Sequence, residues 1–460
     1  MYFFAAMNEL HSTIVKYVLA DMLRDIDKLN LFVINKTFSS HIPDIYLYTR
    51  VFGVCSAYNY NSFKIEKAIL LLKYYKLEQL PKSTRDLSLV FGGLGVTSEP
   101  AFDTLSIPHN LKFLRLYAFN DFIEPNILPN HLLELQITGS FNHPLLNGVF
   151  PLSLKSLALG EGFNQPLLPN ILPPELKFLF IGDAFNQPLL PNVLPPKLRF
   201  LSIGAAFNQP LKENVLPSSL RILKISGFNQ PLYPTVLPTL LESLHIVNFD
   251  KPLTTNVLPS KLCTLVLIKY NRPLLPNVLP INLKQLVLGE FNHPLQPNVL
   301  PSTLEGLTLY YFNQLLEPGI LPLSLCELIF ARYSFAMNIN VLPENLHTLI
   351  FDNPFIFQLN TIAFPSNLHT LKLKKFNQII PANVLPSKLH TLELGTEYNY
   401  PFYVNVLPSN LNTLIIGSNF SHNIGENILP KELKTIHIKM EQRHQLPSVL
   451  PKNLQIQYIK

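Results

Sequence analysis

The sequence predicts a mainly β fold in which a parallel solenoid of 21- to 22-residue units follows a short α-helical N-terminal module. Three observations carry this expectation. A proline preceded by leucine or phenylalanine recurs at 129, 151, 173, 195, 217, 238, 259, 280, 301, 322, 343, 365, 386, 408, 430 and 451, each 21 or 22 residues after the last. Apolar residues stand three, six and eight positions after it, as in Leu154, Leu157, Leu159 and in Leu389, Leu392, Leu394. The prolines also come too often for helices of ordinary length, because each lacks an amide donor and restricts the residue before it.

The positions six and eight after the proline have the period of two that puts both side chains on one face of a strand. One short strand per unit, then a turn and an extended return, can stack on the next unit and bury its leucines only against that neighbour. Pro81 and Pro108 are less regular members, separated by Phe91-Gly92-Gly93-Leu94-Gly95, which is read as a turn in an irregular early coil. Composition agrees: 47% of residues are apolar, 14% are charged and 41 are proline, against roughly 25% charged and about 5% proline in an ordinary domain.

Two further columns run through the connecting segments. Phe-Asn recurs at 119, 141, 163, 185, 207, 228, 291, 312 and 376, with Phe249-Asp250, Tyr270-Asn271 and Tyr398-Asn399 as variants. A second asparagine precedes the Val/Ile-Leu-Pro at 126, 170, 192, 214, 256, 277, 298, 340, 383, 405 and 427. Asparagine tolerates left-handed backbone and can bond backbone groups that lack a ladder partner. In register, the asparagines should form ladders and the phenylalanines an inner spine.

These units resemble the FNIP repeat, a leucine-rich-repeat relative named for its Phe-Asn-x-Pro core, best seen in Phe163-Asn164-Gln165-Pro166-Leu167 and Phe207-Asn208-Gln209-Pro210-Leu211. The resemblance runs from about residue 108 onward and implies a leucine-rich-repeat-like solenoid. The motif departs at Phe335-Ala336-Met337-Asn338 and at Asp352-Asn353-Pro354-Phe355, where the coil is expected to bulge. That family is known mainly from amoebae and their large DNA viruses, which implies an amoebal or viral source.

The division expected is a helical module at 1–44, a linker with a helix at 45–80, centred on Ile65 to Lys76, and the solenoid at 81–460. Within the module, Ile14, Tyr17, Val18, Leu23, Leu31, Ile34 and Phe38 have helical spacing. Asp27 to Phe38 resembles the second half of an F-box, with an aspartate followed by apolar positions, then a lysine and a bulky aromatic. Leu19 and Leu23 sit where the preceding F-box helix carries its apolar residues. The opening Leu-Pro of that family is missing, and Lys28 replaces the leucine of its Asp-Leu. The resemblance implies docking on a Skp-type adaptor of a cullin ubiquitin ligase, with Ile14, Leu19, Leu23, Leu31, Ile34 and Phe38 as docking or module-core positions. The alternative is a helical cap on the first coil of a non-enzymatic scaffold.

Positions five and seven after the proline point away from the core and position four flanks them, so each forms a column along the solenoid. Position four reads Lys155, Lys177, Arg199 and Arg221 before Glu242 interrupts it. Positions five and seven add Phe178, Phe180 and Phe200, with Lys224 and His245 nearby. Exposed aromatics beside arginines suit a protein interface, which places the expected partner site in coils 151–250. The competing reading is a solvated basic column whose phenylalanines lie under the N-terminal module. Further on, His347, His369 and His390 share position four, and Thr348, Thr370, Thr391, Thr413 and Thr435 share position five; structural roles are favoured for both.

No catalytic constellation is legible. Cys55, Cys263 and Cys326 form no CxxC pair, and there is no phosphate-binding glycine loop, GxSxG or HExxH. No cofactor or metal is expected. The net charge of +6 is small for 460 residues and disfavours nucleic acid as the partner. No apolar run approaches the roughly 18 residues of a membrane span. A cytoplasmic, protein-binding molecule is expected, in the host cytoplasm if viral.

Overall fold

The computed structural model describes residues 84–91, 107–335, 340–354, 359 and 362–459, together with the backbone of two strands, Tyr46–Leu47 and Lys67–Leu71. The chain divides into two units, 1–59 and 60–460. The expected helical module, with Ile14, Leu19, Leu23, Leu31, Ile34 and Phe38, lies outside the described residues, as do Gly92 to Gly95 and Ala336 to Asn338.

In the second unit the strands from Lys67–Leu71 to Gln455–Tyr458 are all parallel, and each pairs with the next in sequence. From Ser156 to Thr435 the start of each strand keeps to the proline count: Ser156, Phe178, Phe200 and Ile222 lie opposite one another in consecutive strands, as do Leu157, Leu179, Leu201 and Leu223. Only at the last strand does the pairing move by one residue, with Thr435 opposite Gln455. A one-residue slip would turn every leucine outward, so the buried face holds the register. Leu154, Leu157, Leu176, Leu179, Leu198, Leu201, Leu220 and Leu223 are all 0% exposed.

The helix expected within Ile65 to Lys76 is corrected at its centre. Lys67–Leu71 is a strand paired with Asp86–Val90 in the register Lys67 to Asp86 and Leu71 to Val90. Four consecutive apolar residues suit a strand buried on both faces as well as a helix segment, and a parallel neighbour selects the strand. The array therefore includes Lys67–Leu71 and does not start at Pro81.

Opposite the strands, the Phe-Asn column builds the spine. Phe141, Phe163, Phe185 and Phe207 stack with centroid separations of 6.0, 6.1 and 6.0 Å and interplanar angles of 10° or less. Tyr270 continues the stack between Phe249 and Phe291 at 6.1 and 6.4 Å. Such offset pairs contribute about 0.5–1.5 kcal/mol each beyond area burial. Burial holds the phenols of Tyr270 and Tyr333 protonated, pushing their pKa up to about 12. Neighbouring strands lie about 4.8 Å apart, less than the spacing of the rings, so each coil is a wedge whose narrow edge is the strand.

Beside the spine runs the asparagine ladder. The Oδ1 of Asn142 accepts the backbone N–H of Asn164 at 2.8 Å, Asn164 accepts Asn186 at 2.9 Å, and Asn186 accepts Asn208 at 3.0 Å. The glutamines Gln165, Gln187, Gln209 and Gln230 reach back to the same asparagines; Gln209 Nε2 donates to Asn186 O at 3.1 Å and to its Oδ1 at 3.2 Å. Where Asp250 replaces asparagine, its Oδ1 still accepts Asn271 N–H, and Arg272 takes the glutamine's place by pairing with Oδ2 at 2.9 Å.

The second asparagine column has a conformational role. Asn126, Asn170, Asn192, Asn214, Asn256, Asn277 and Asn298 have φ of 61–67°, Gly148 and Gly319 hold the same place at 86° and 85°, and Thr235 is forced to 75°. Left-handed backbone is tolerated by asparagine and glycine and opposed by a β-branched residue. At the strand exit, coils of 22 residues insert one residue more before the aromatic, as in Gly182-Asp183-Ala184 against Ser226-Gly227, so in these regular coils the length difference falls at one corner. A Cβ on Gly182 would lie 2.4 Å from the Gly160 carbonyl oxygen, which is why that corner starts with glycine.

The motif departure at Asp352 is visible as a strand, Thr348–Pro354, whose pairing with Thr370–Lys375 shifts register between Phe351 and Pro354. A 3₁₀ turn, Met440–Gln445, replaces the Phe-Asn turn near the last strand. Its buried Gln442 donates from Nε2 to the carbonyls of Gly417 and Phe420, both at 2.9 Å.

Thr235→Asn is expected to raise stability by about 1 kcal/mol by relieving left-handed strain, read as a higher urea midpoint. Asn186→Ala removes the acceptor of two donors from the next coil and is expected to cost about 1 kcal/mol in the same titration.

Candidate interaction surface on the strand face

Each strand sends two side chains inward and two outward, and the outward pairs of consecutive strands form the narrow face of the wedge-shaped coils. On Ser156–Leu159, Phe178–Ile181, Phe200–Ile203 and Ile222–Ile225 this face carries the basic and aromatic residues that position alone predicts. Lys155 and Arg199 are exposed and Lys177 is half-buried. Among the described residues none of the three has a carboxylate within ion-pairing distance; Lys197, on the flank, takes Glu175, and Arg221 approaches Glu242 at 3.6 Å. Arg221 also donates from Nη1 to Leu240 O at 3.1 Å, so it is tied to its own scaffold.

The aromatics are not equally available. Phe200, expected to be exposed, is only 8% so. Its ring lies 4.7 Å from Phe180 and 6.4 Å from Phe178 by centroids, and Lys224 Nζ lies 5.8 Å above it. The narrow edge of the wedge crowds outward side chains together, which a column count alone does not reveal. Phe178 and Phe180 remain half-buried beside Lys177. Burial lowers the pKa of Lys224 below that of a free lysine, since desolvation disfavours the charged amine. On the next strand, His245 Nε2 meets Ser243 Oγ at 2.9 Å.

Sequence reasoning missed a second zone. The position-seven column continues as Val266, Val287, Thr308, Ile329 and Ile350 before Lys372 restores charge. Val266, Val287 and Thr308 are 8%, 4% and 8% exposed although they point away from the core. The signal was present as five consecutive units without charge at position seven. The strand face is therefore graded, basic and aromatic over 155–224 and, in the position-seven column, largely aliphatic over 266–350, with Gln285 and Glu327 beside it at position five.

His347, His369 and His390 form a face-to-face stack, with centroids 5.1 and 5.0 Å apart. Among the described residues no group of three or more His, Cys, Asp or Glu is placed to hold a metal ion. Cys263 and Cys326 occupy equivalent places, each thiol near the carbonyl two residues before it, at 3.4 and 3.3 Å. Among the described residues no helix is long and apolar enough to cross a membrane.

The FNIP repeat model matches eight segments, 101–140, 141–184, 185–227, 228–269, 270–311, 291–333, 376–419 and 398–440. The chain belongs to the FNIP-repeat family. Among solved structures it is similar to CroV588, described as a novel circular LRR protein, at 36% identity and TM-score 0.68 over 83% of this chain and 57% of that one. It is also similar in fold to a chain of the Toll–Spatzle complex of Drosophila, at 18% identity and TM-score 0.57, over 85% of this chain and 60% of that one. The FNIP chain thus spans less than two thirds of the length of either. No curated protein matches it at a significant level. The fold is that of a leucine-rich-repeat-like scaffold, a class typical of protein–protein interaction and generally non-enzymatic.

Phe200→Ala is expected to lower stability by about 3 kcal/mol, as for other buried phenylalanines, whereas Arg199→Ala should change it by less than about 0.5 kcal/mol; chemical denaturation of both variants separates packing residues from binding residues on this face.

Proposed function

We propose that this protein is a non-catalytic receptor whose strand face holds a protein partner and whose N-terminal segment links that partner to a Skp-cullin-type ubiquitin ligase. The observation that carries the first half is the row Lys155, Lys177 and Arg199, none in a direct ion pair among the described residues and with Glu175 near the two lysines already held by Lys197, beside Phe178 and Phe180. A solvated column needs no aromatics next to it, and a packing role does not require three cations without carboxylates. Truncating arginine and aromatic side chains is what most weakens protein interfaces.

The second half rests on the pattern from Asp27 to Phe38 and its resemblance to an F-box, with Ile14, Leu19, Leu23, Leu31, Ile34 and Phe38 as docking or module-core positions. On this reading the protein contributes proximity alone: the solenoid raises the local concentration of a target at the ligase, and other subunits transfer ubiquitin. Its place of action is the cytoplasm. A plain scaffold with a helical cap is the reading that remains if the adaptor does not bind.

The test is capture of purified Skp-type adaptor and cullin by the intact chain and by a version lacking residues 1–44. Retention of both by the intact chain alone is expected; retention of neither by a folded intact chain removes the ligase link and leaves the scaffold.

A further inference from the structure

The two zones of the strand face differ in chemistry, and their order constrains what can lie across both. At the basic end, positions four to seven of the strands at 155, 177, 199 and 221 carry five cations and no anion, and Glu242 is the first carboxylate met in the next strand. Lys224 is held over the Phe200 ring in a desolvated position, where an anion from a partner would compensate its charge better than water does. At the aliphatic end, Val266, Val287 and Thr308 form a closely packed floor, only 8%, 4% and 8% exposed, continued by the half-buried Ile329 and Ile350. That column carries no charge, while Glu327 stands exposed at position five of the same zone. At Gly306 a Cβ would lie 2.1 Å from Gln285 Oε1, so the missing side chain lets Gln285 lie flat along the floor. Arg199 and Val287 are four strands apart, roughly 19 Å at about 4.8 Å per strand, which an extended chain covers with about six residues.

Resting on the receptor reading above, we propose that this face binds an extended acidic segment of a partner protein, with carboxylates over Lys155, Lys177, Arg199 and Lys224 and aliphatic side chains about six residues away over Val266 to Ile329. The charge complementarity selects the carboxylates and the dry floor selects the aliphatic end. A nucleic acid fits the basic end only. Its phosphates would continue past Glu242 and Glu305, which flank the aliphatic zone at position four, and its backbone gains nothing from valine and isoleucine.

The probe is a phage-displayed library of random 16-residue peptides selected on the purified full chain, with a 20-nucleotide single-stranded DNA as the competing class. Enriched peptides are expected to set two or more Asp or Glu about six positions from Leu, Ile or Val. Their affinity should fall at least tenfold in Lys177→Glu/Arg199→Glu, whose sites tolerate exchange, about fivefold in Val287→Thr, and not at all in Lys431→Glu, an exposed charge reversal in a distant coil. Enriched peptides without acidic residues that still lose affinity in Val287→Thr would overturn this proposal and leave the receptor reading standing. If the DNA binds more tightly than any peptide and the charge-reversed variant abolishes it, both this proposal and the protein-partner half of the receptor reading are overturned. Failure to enrich any peptide, or binding indifferent to every strand-face variant, would overturn both.

Discussion

The parallel, in-register stacking of one coil on the next is the constraint on which the rest of this structure depends. Each strand finds its hydrogen bonds only in its neighbours, each phenylalanine its ring partner one unit away, and each asparagine its donor in the following coil. A coil alone could bury neither its leucines nor its backbone groups. The same translation that stacks the leucines also stacks whatever the outward positions carry, so isolated charges become a row and isolated valines become a strip. Function on this fold is composed by the column.

Much of the architecture could be read from the chain. The prolines marked the period, the positions three, six and eight after each proline marked the core, and both asparagine columns had a stated physical reason that the backbone bears out, one as a ladder and one in left-handed conformation. The expectation that failed, a helix within Ile65 to Lys76, failed for a local reason. The run Ala68 to Leu71 carries no period, so only the neighbour at Asp86–Val90 decides that it is a strand. The F-box-like residues lie outside the described part of the chain, and the structure adds nothing to them.

The candidate surface was legible in identity and less so in exposure. Lys155, Lys177 and Arg199 could be placed by counting from a proline, and they stand where counting puts them. Phe200 could not, because its burial comes from Phe178, Phe180 and Lys224, which reach it across strands from both sides. Val266, Val287 and Thr308 were overlooked for the converse reason. Counting from the proline puts them at the outward position seven, but a column without charge or aromatic rings carries no mark of a partner, and their burial comes only from the neighbouring strands.

The corner after each strand, where Gly182-Asp183-Ala184 in one coil answers to Ser226-Gly227 in another, has a bearing on how such a chain can change over generations. Because the regular coils take the extra residue at that corner, unequal crossing-over between units of 21 and 22 residues would still join a strand to a strand and an aromatic to an aromatic. Copies could be gained or lost without disturbing the coils on either side. The number of cations or valines in a row would then vary by duplication, letting the reach of the surface evolve faster than the sequence of any one coil.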